Sequence, residues 1–118
     1  MSKIKIDKEL LKGCVPLMVL HLFKDNDLYG YQILKNLEQL SGGAFLFKDG
    51  TLYPVLHSLE KDGHIKSYWQ NSDTGRKRRY YHMTETGKSC LEEKIKDWEF
   101  FILSVNSVLQ RGADAHAE

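Results

Sequence analysis

At 118 residues, 42% apolar and 28% charged, the chain has the size of one ordinary domain and is too apolar to stay disordered. No apolar run nears the roughly 20 residues that a bilayer-spanning helix needs, which excludes a membrane partner of that kind. The net charge of +1 hides an uneven placement: residues 48–84 carry seven Lys/Arg against four Asp/Glu, and residues 85–118 carry four against seven.

The start, Met1-Ser-Lys-Ile-Lys-Ile-Asp7, has charges but no apolar core of a secretion signal. Cys14 and Cys90 lie far apart within apolar stretches. Both observations lead us to expect a cytoplasmic protein with reduced, packed thiols.

The first helical segment runs from Asp7 to about Lys24, with Leu10, Leu11, Cys14, Val15, Met18 and Leu22 at helical period. Gly13 and Pro16 interrupt it, so we expect a kink near Gly13 or a second helix starting near Pro16. After the turn Asp25-Asn-Asp27, the stretch Leu28–Leu40 reads as a second helix, with Ile33, Leu34, Leu37 and Leu40 on one face. Ser41-Gly42-Gly43 ends it, and Ala44–Phe47 is a short-strand expectation.

A third helix begins at Asp49-Gly50-Thr51, where Asp49 or Thr51 can cap. Leu52, Val55, Leu56 and Leu59 make its apolar stripe, and Pro54 falls in its first turn. Its other face shows Thr51, Tyr53, Pro54, His57, Ser58 and Lys61, with acids only towards the far end. Two strand-prone runs follow, His64–Gln70 and Arg76–Met83, around Asn71-Ser-Asp-Thr-Gly75. They read as a hairpin, with Ile65, Ser67 and Trp69 on the inner side of its first strand.

The last helix starts at Thr84-Glu-Thr-Gly87, capped by Thr84. Leu91, Ile95, Trp98, Ile102, Val105 and Leu109 are spaced 4, 3, 4, 3 and 4 apart, a heptad seam of about two and a half repeats. Phe101 and Val108 widen it, and Gly112 with the Ala/Asp/His tail is expected to end it.

Three helices followed by a hairpin make the winged variant of helix-turn-helix. The fold expectation is therefore mainly α with a small β-hairpin: a winged helix-turn-helix over residues 1–84, a C-terminal dimerisation helix over 85–112, and a disordered tail over 113–118. In that architecture the third helix enters the major groove of double-stranded DNA and the hairpin is the wing. The exposed face of the third helix suits a phosphate-lined groove, because its N-terminal half is poor in acids. The run Arg76-Lys77-Arg78-Arg79 lies just beyond the hairpin turn. Alternation means that only some of the four cations reach one partner, and they supply salt-dependent affinity rather than sequence readout. The candidate DNA-binding residues are Lys48, Thr51, Tyr53, Pro54, His57, Lys61, Arg76, Lys77, Arg78 and Arg79.

Four blocks in order resemble the PadR family of bacterial transcriptional regulators: Leu28-Tyr-Gly-Tyr-Gln-Ile33, Gly50-Thr-Leu-Tyr-Pro-Val-Leu56, Leu59-Glu-Lys-Asp-Gly63, and Gly75 through Gly87. The single C-terminal helix is similar to the short subfamily that includes multidrug-sensing repressors. The resemblance implies a homodimeric repressor on a pseudo-palindromic operator. Its dimer interface would use the C-terminal helix, here Leu91, Ile95, Trp98, Ile102, Val105 and Leu109. It also implies an inducer, often a planar aromatic compound, held near Leu11, Val15, Trp98 and Ile102. Trp98 occupies the position of a tryptophan that sandwiches flat ligands in such relatives, and a plain dimer-core anchor is the other reading of it.

An alternative is a winged-helix module that binds proteins instead of DNA; the basic hairpin argues against it. An enzyme is not expected. The five histidines show no metal-ligand spacing, Glu92 and Glu93 are adjacent and diverge on a helix, and Gly42-Gly43 lacks the pattern of a nucleotide loop. No metal or cofactor is expected.

Overall fold

The computed structural model describes residues 6–117 of the chain. The residues 1–5 used above to judge a secretion signal lie outside it, as does residue 118 of the expected tail.

Asp7 opens α1 (Lys8–Lys12) by accepting a 2.8 Å hydrogen bond from the Glu9 amide. The chain breaks at Gly13 and resumes as α2 (Val15–Leu22), with Pro16 in its first turn, where a missing N–H is tolerated. Of the two expectations, the short helix followed by a second is the one observed.

Leu28–Tyr29 is not helical, contrary to the expectation for Leu28–Leu40. It forms β1, whose Leu28 pairs with Tyr81 and whose Tyr29 pairs with Tyr80. Helix α3 begins only at Gly30 and runs to Leu40. The Tyr29 amide, freed by that switch, donates to the Gln32 side chain at 3.2 Å. Conversely, Ala44–Phe47 forms no strand.

Helix α4 spans Asp49–Lys61, with Lys48 as its N-cap. Neither Asp49 nor Thr51 caps it; both lie inside the first turn. Pro54 is consequently in the helix interior rather than the first turn. Its ring and Gly50, whose carbonyl loses an amide partner, are both exposed, so water can satisfy that carbonyl.

Strands β2 (Ile65–Asn71) and β3 (Lys77–Met83) pair antiparallel from Ile65↔Met83 to Asn71↔Lys77. The sheet order is β1-β3-β2. Ile65, Leu28 and Tyr81 seal its inner face onto a core of Val19, Leu20, Ile33, Leu37, Leu52, Leu56 and Leu59. Burial of such aliphatic side chains stabilises the fold by roughly 1.5–3 kcal/mol each before entropy is subtracted.

Helix α5 runs from Glu85 to Ala117, about 50 Å at 1.5 Å per residue. Thr84 caps it as expected, accepting from the Gly87 amide at 3.0 Å and donating to the Gly63 carbonyl at 2.6 Å. Gly87 is buried where a Cβ would overlap the His64 carbonyl oxygen, so the helix base lies directly on the α4–β2 turn. The helix does not stop at Gly112, and the segment 113–117 is helical rather than a loose tail. One glycine costs about 1 kcal/mol in a helix, and the alanines beyond it favour continuing.

Candidate nucleic-acid interface

Helix α4 buries Leu52, Leu56 and Leu59 and turns Thr51, Tyr53, Pro54, His57, Ser58 and Lys61 to solvent. Lys48 stands exposed at its start, and no side chain caps its free amides. The helix therefore offers small or hydrogen-bonding side chains on one open face, and the exposed Asp49 carboxylate in its first turn offsets the positive dipole end.

The wing is docked on α4 through one carboxylate. Glu60 accepts from Ser67 at 2.6 Å and from Arg79 at 3.1 Å. The four cations thus separate. Arg76 and Lys77 are exposed at the hairpin turn. Arg78 turns to the outer face, where its guanidinium lies 4.5 Å from the centre of the Tyr29 ring. Arg79 turns towards α4, half over Tyr81 at 5.6 Å and paired with Glu60.

Trp69, expected on the inner side, is on that side but 66% exposed. The hairpin outruns the core after Ser67, so the same face is buried at Ile65 and wet at Trp69. Between α4 and the wing lies a cleft of about 330 Å³, lined by Tyr29, Gly30, Tyr53, Trp69, Arg78, Arg79 and Tyr81. Tyr29, Gly30 and Trp69 were not among the candidate residues, although Tyr29 and Gly30 stand in the block Leu28–Ile33 and Trp69 on the inner side of the first hairpin strand. Burial raises the Tyr81 hydroxyl above the ordinary tyrosine value, the Arg79 charge opposing and the Tyr53 and Glu60 hydroxyl and carboxyl adding.

On the outer face, Asp27, just before β1, ties to both wing strands. It accepts from Tyr68 at 2.7 Å and lies 2.8 Å from His82 Nδ1. Tyr68 stacks on Tyr80, and Tyr80 meets Tyr29 edge-on.

The winged helix, its groove-ready face and its cation-edged hairpin are those of a DNA-binding regulator, and residues 19–93 match the "Transcriptional regulator PadR-like family". The chain belongs to the PadR family. Among its relatives, the transcriptional regulator Rv3488 of Mycobacterium tuberculosis is 37% identical over 86 residues, covering 73% of this chain and 77% of that one. A transcriptional regulator from Clostridium thermocellum superposes with a TM-score of 0.79 at 33% identity, over 85% of this chain and 97% of the other. A PadR-like transcriptional regulator from Bacillus cereus gives 0.76 at 30% identity, over 87% and 98%. The PadR winged helix with its C-terminal helix is thus the architecture observed, and its role is transcriptional regulation. Among the described residues, no helix is long and apolar enough to cross a membrane.

The candidate dimer and ligand residues divide. Leu91 is 4% exposed and packs in the protomer's own core. Ile95 packs partly on that core. Trp98, Val105 and Leu109 are exposed and Ile102 is half-buried, beyond the head. Val15 is core, at 5% exposure, and Leu11 is half-buried. Trp98 has Phe101 beside it, ring centres 6.4 Å apart.

Proposed function

We propose that this PadR protein is a homodimeric, ligand-responsive repressor that binds a pseudo-palindromic operator through α4 and the basic wing. The observation that carries the reading is the open, acid-poor face of α4 standing beside a hairpin edged by Arg76, Lys77 and Arg78. Two copies would present two such helices about one duplex turn, roughly 34 Å, apart.

The distal half of α5 supports the dimer. Trp98, Phe100, Phe101, Leu103, Val105, Val108 and Leu109 are all exposed, a larger apolar run than a soluble monomer ordinarily shows. An apolar groove of about 370 Å³ at Leu17, Met18, Leu22, Leu37, Leu40, Phe45 and Ile95 adjoins the base of that run. A second copy would cover both. Trp98 and Phe101 present aromatic surface on the same stretch, which suits a planar aromatic inducer between the copies. Such an inducer can weaken DNA binding only by its difference in affinity for the two dimer shapes. The site of action is the cytoplasm.

The test is a gel shift on the DNA upstream of the protein's own gene, at two salt concentrations. A sequence-specific complex, weakened by planar aromatic compounds, is expected. Salt-steep binding that ignores sequence would reject the operator reading.

A further inference from the structure

We infer that the cavity where α2, α4 and α5 meet is a binding site for a small zwitterion, a free α-amino acid with an aliphatic side chain, held through Lys94, Asp62 and His64. The site lies within one protomer, and binding there does not depend on the proposed DNA reading. The cavity measures about 310 Å³. One wall is apolar, made by Pro16 of α2 with Pro54, Val55 and Leu59 of α4. Facing it are Asp62 at the end of α4, His64 in the turn to β2, and Lys94 of α5.

The polar groups of this cavity are unspent. Lys94 is half-buried, and neither it nor Asp62 belongs to an ion pair among the described residues. Opposite charges thus line one cavity without pairing with each other. The His64 backbone is pinned on both sides: its amide donates to the Leu59 carbonyl at 2.9 Å, and its carbonyl accepts from the Thr84 amide at 3.0 Å. Its Nδ1 is nevertheless buried with no hydrogen-bond partner, an uncommon state that costs stability. The nitrogen is closed to water as the ring stands, so an occupant reaches it through a turn about χ2, a soft torsion.

A lone anion would answer Lys94 but meet Asp62 as a like charge, and a lone cation would do the reverse. A molecule that carries both charges on neighbouring atoms answers both, with its carboxylate on Lys94 and its ammonium on Asp62. His64 can donate to the first or accept from the second. The prolines, Val55 and Leu59 offer an aliphatic side chain a place out of water. Such an occupant touches α2, α4 and α5 together, and Pro54 belongs both to the cavity and to the open face of α4. It changes DNA affinity to the extent that it prefers one angle of α5 on the head.

The experiment is isothermal titration calorimetry of the full chain with L-leucine and three probes that each lack one group. These are 4-methylpentanoate without the ammonium, 3-methylbutylamine without the carboxylate, and glycine without the side chain. L-leucine is expected to bind once per chain, whereas a compound held between two copies binds once per pair. Each probe should bind about tenfold more weakly or worse. Lys94→Gln should weaken L-leucine about tenfold and leave 3-methylbutylamine unchanged; Asp62→Asn should weaken L-leucine and leave 4-methylpentanoate unchanged. His64→Phe keeps a ring but removes Nδ1, and should also weaken L-leucine. No binding of L-leucine to wild-type protein, a one-charge probe that binds as tightly, or charge variants that match wild type overturn the site. Should a variant fail to fold by circular dichroism, the probe series on wild-type protein decides alone. Anisotropy of a labelled upstream duplex, with and without saturating L-leucine, should show a shift in affinity. L-leucine that binds without that shift overturns the coupling to DNA, and protein that binds L-leucine but no duplex overturns the proposed function while keeping the site.

Discussion

The Arg79 guanidinium of the wing lies 3.1 Å from the Glu60 carboxylate of α4. This pair joins the two elements proposed to meet DNA, where it would withhold one cation from the phosphates. Glu60→Gln keeps an acceptor for Ser67 but releases the charge of Arg79. Affinity for non-specific duplex should rise several-fold at about 100 mM salt, and the salt slope should steepen by up to about 0.9. Stability should change by less than about 1 kcal/mol, because both partners are partly exposed. Anisotropy titrations and urea melts of the variant check both halves.

Gly87 and Gly13 invite opposite outcomes for the same substitution. At Gly87 a Cβ meets the His64 carbonyl oxygen, backbone that cannot move aside cheaply, whereas at Gly13 nothing lies within 4 Å and φ is −80°. Gly87→Ala should therefore destabilise by about 1–3 kcal/mol despite its better helix propensity. Gly13→Ala should be neutral or stabilise by about 0.4–1 kcal/mol. Urea denaturation of the two variants gives the comparison directly.

The parts of this fold that were legible in the sequence are those set by short-range periodicity. Leu52, Leu56 and Leu59 recur at helical spacing, and that alone sorts the exposed face of α4 from the buried one. What could not be read depends on distant partners. Two residues, Leu28 and Tyr29, are too few to show alternation, and they are a strand only because Tyr81 and Tyr80 stand opposite. Trp69 obeys the alternation that predicted its side, but how far the core extends under the hairpin is a tertiary property. Leu91 fits the heptad as well as Trp98 does. Only packing against the head distinguishes the residue buried in the protomer from the one left exposed. The division of Arg78 from Arg79 follows from strand geometry; the partner that takes Arg79, nineteen residues earlier, does not.

Trp98 is 38% exposed and Leu109 is 67% exposed on a stretch of α5 that has left the head. Trp98→Asp places a charge in the middle of the proposed seam. It should give monomers or aggregates by light scattering and should weaken operator binding through loss of bivalency. Leu91→Ala is the contrasting variant: it opens a cavity in the head and should cost about 2–5 kcal/mol. If Trp98→Asp remains a dimer, the seam lies elsewhere on the helix.

Asp27 ties the turn before β1 to both wing strands, through Tyr68 and His82. Partial burial works to raise its carboxyl pKa. The hydrogen bonds from Tyr68 and His82, with the charges of His82 and Lys66, outweigh burial and hold it below the ordinary carboxylate value. The same bond pushes the Tyr68 hydroxyl up. A carboxyl lowered in the folded state adds stability that is fully present above its unfolded pKa, about 3.9, and is lost as pH falls through the folded value. Above that range the tie is intact, so neutral melts should show a modest loss for Asp27→Asn. As pH falls through the lowered folded value the wild-type carboxyl protonates, so the gap between the two proteins should narrow on acidification. Melting temperatures of both proteins at pH 7 and at about pH 3 measure this; a gap that widens on acidification would mean that Asp27 does not hold the wing as its ionised form.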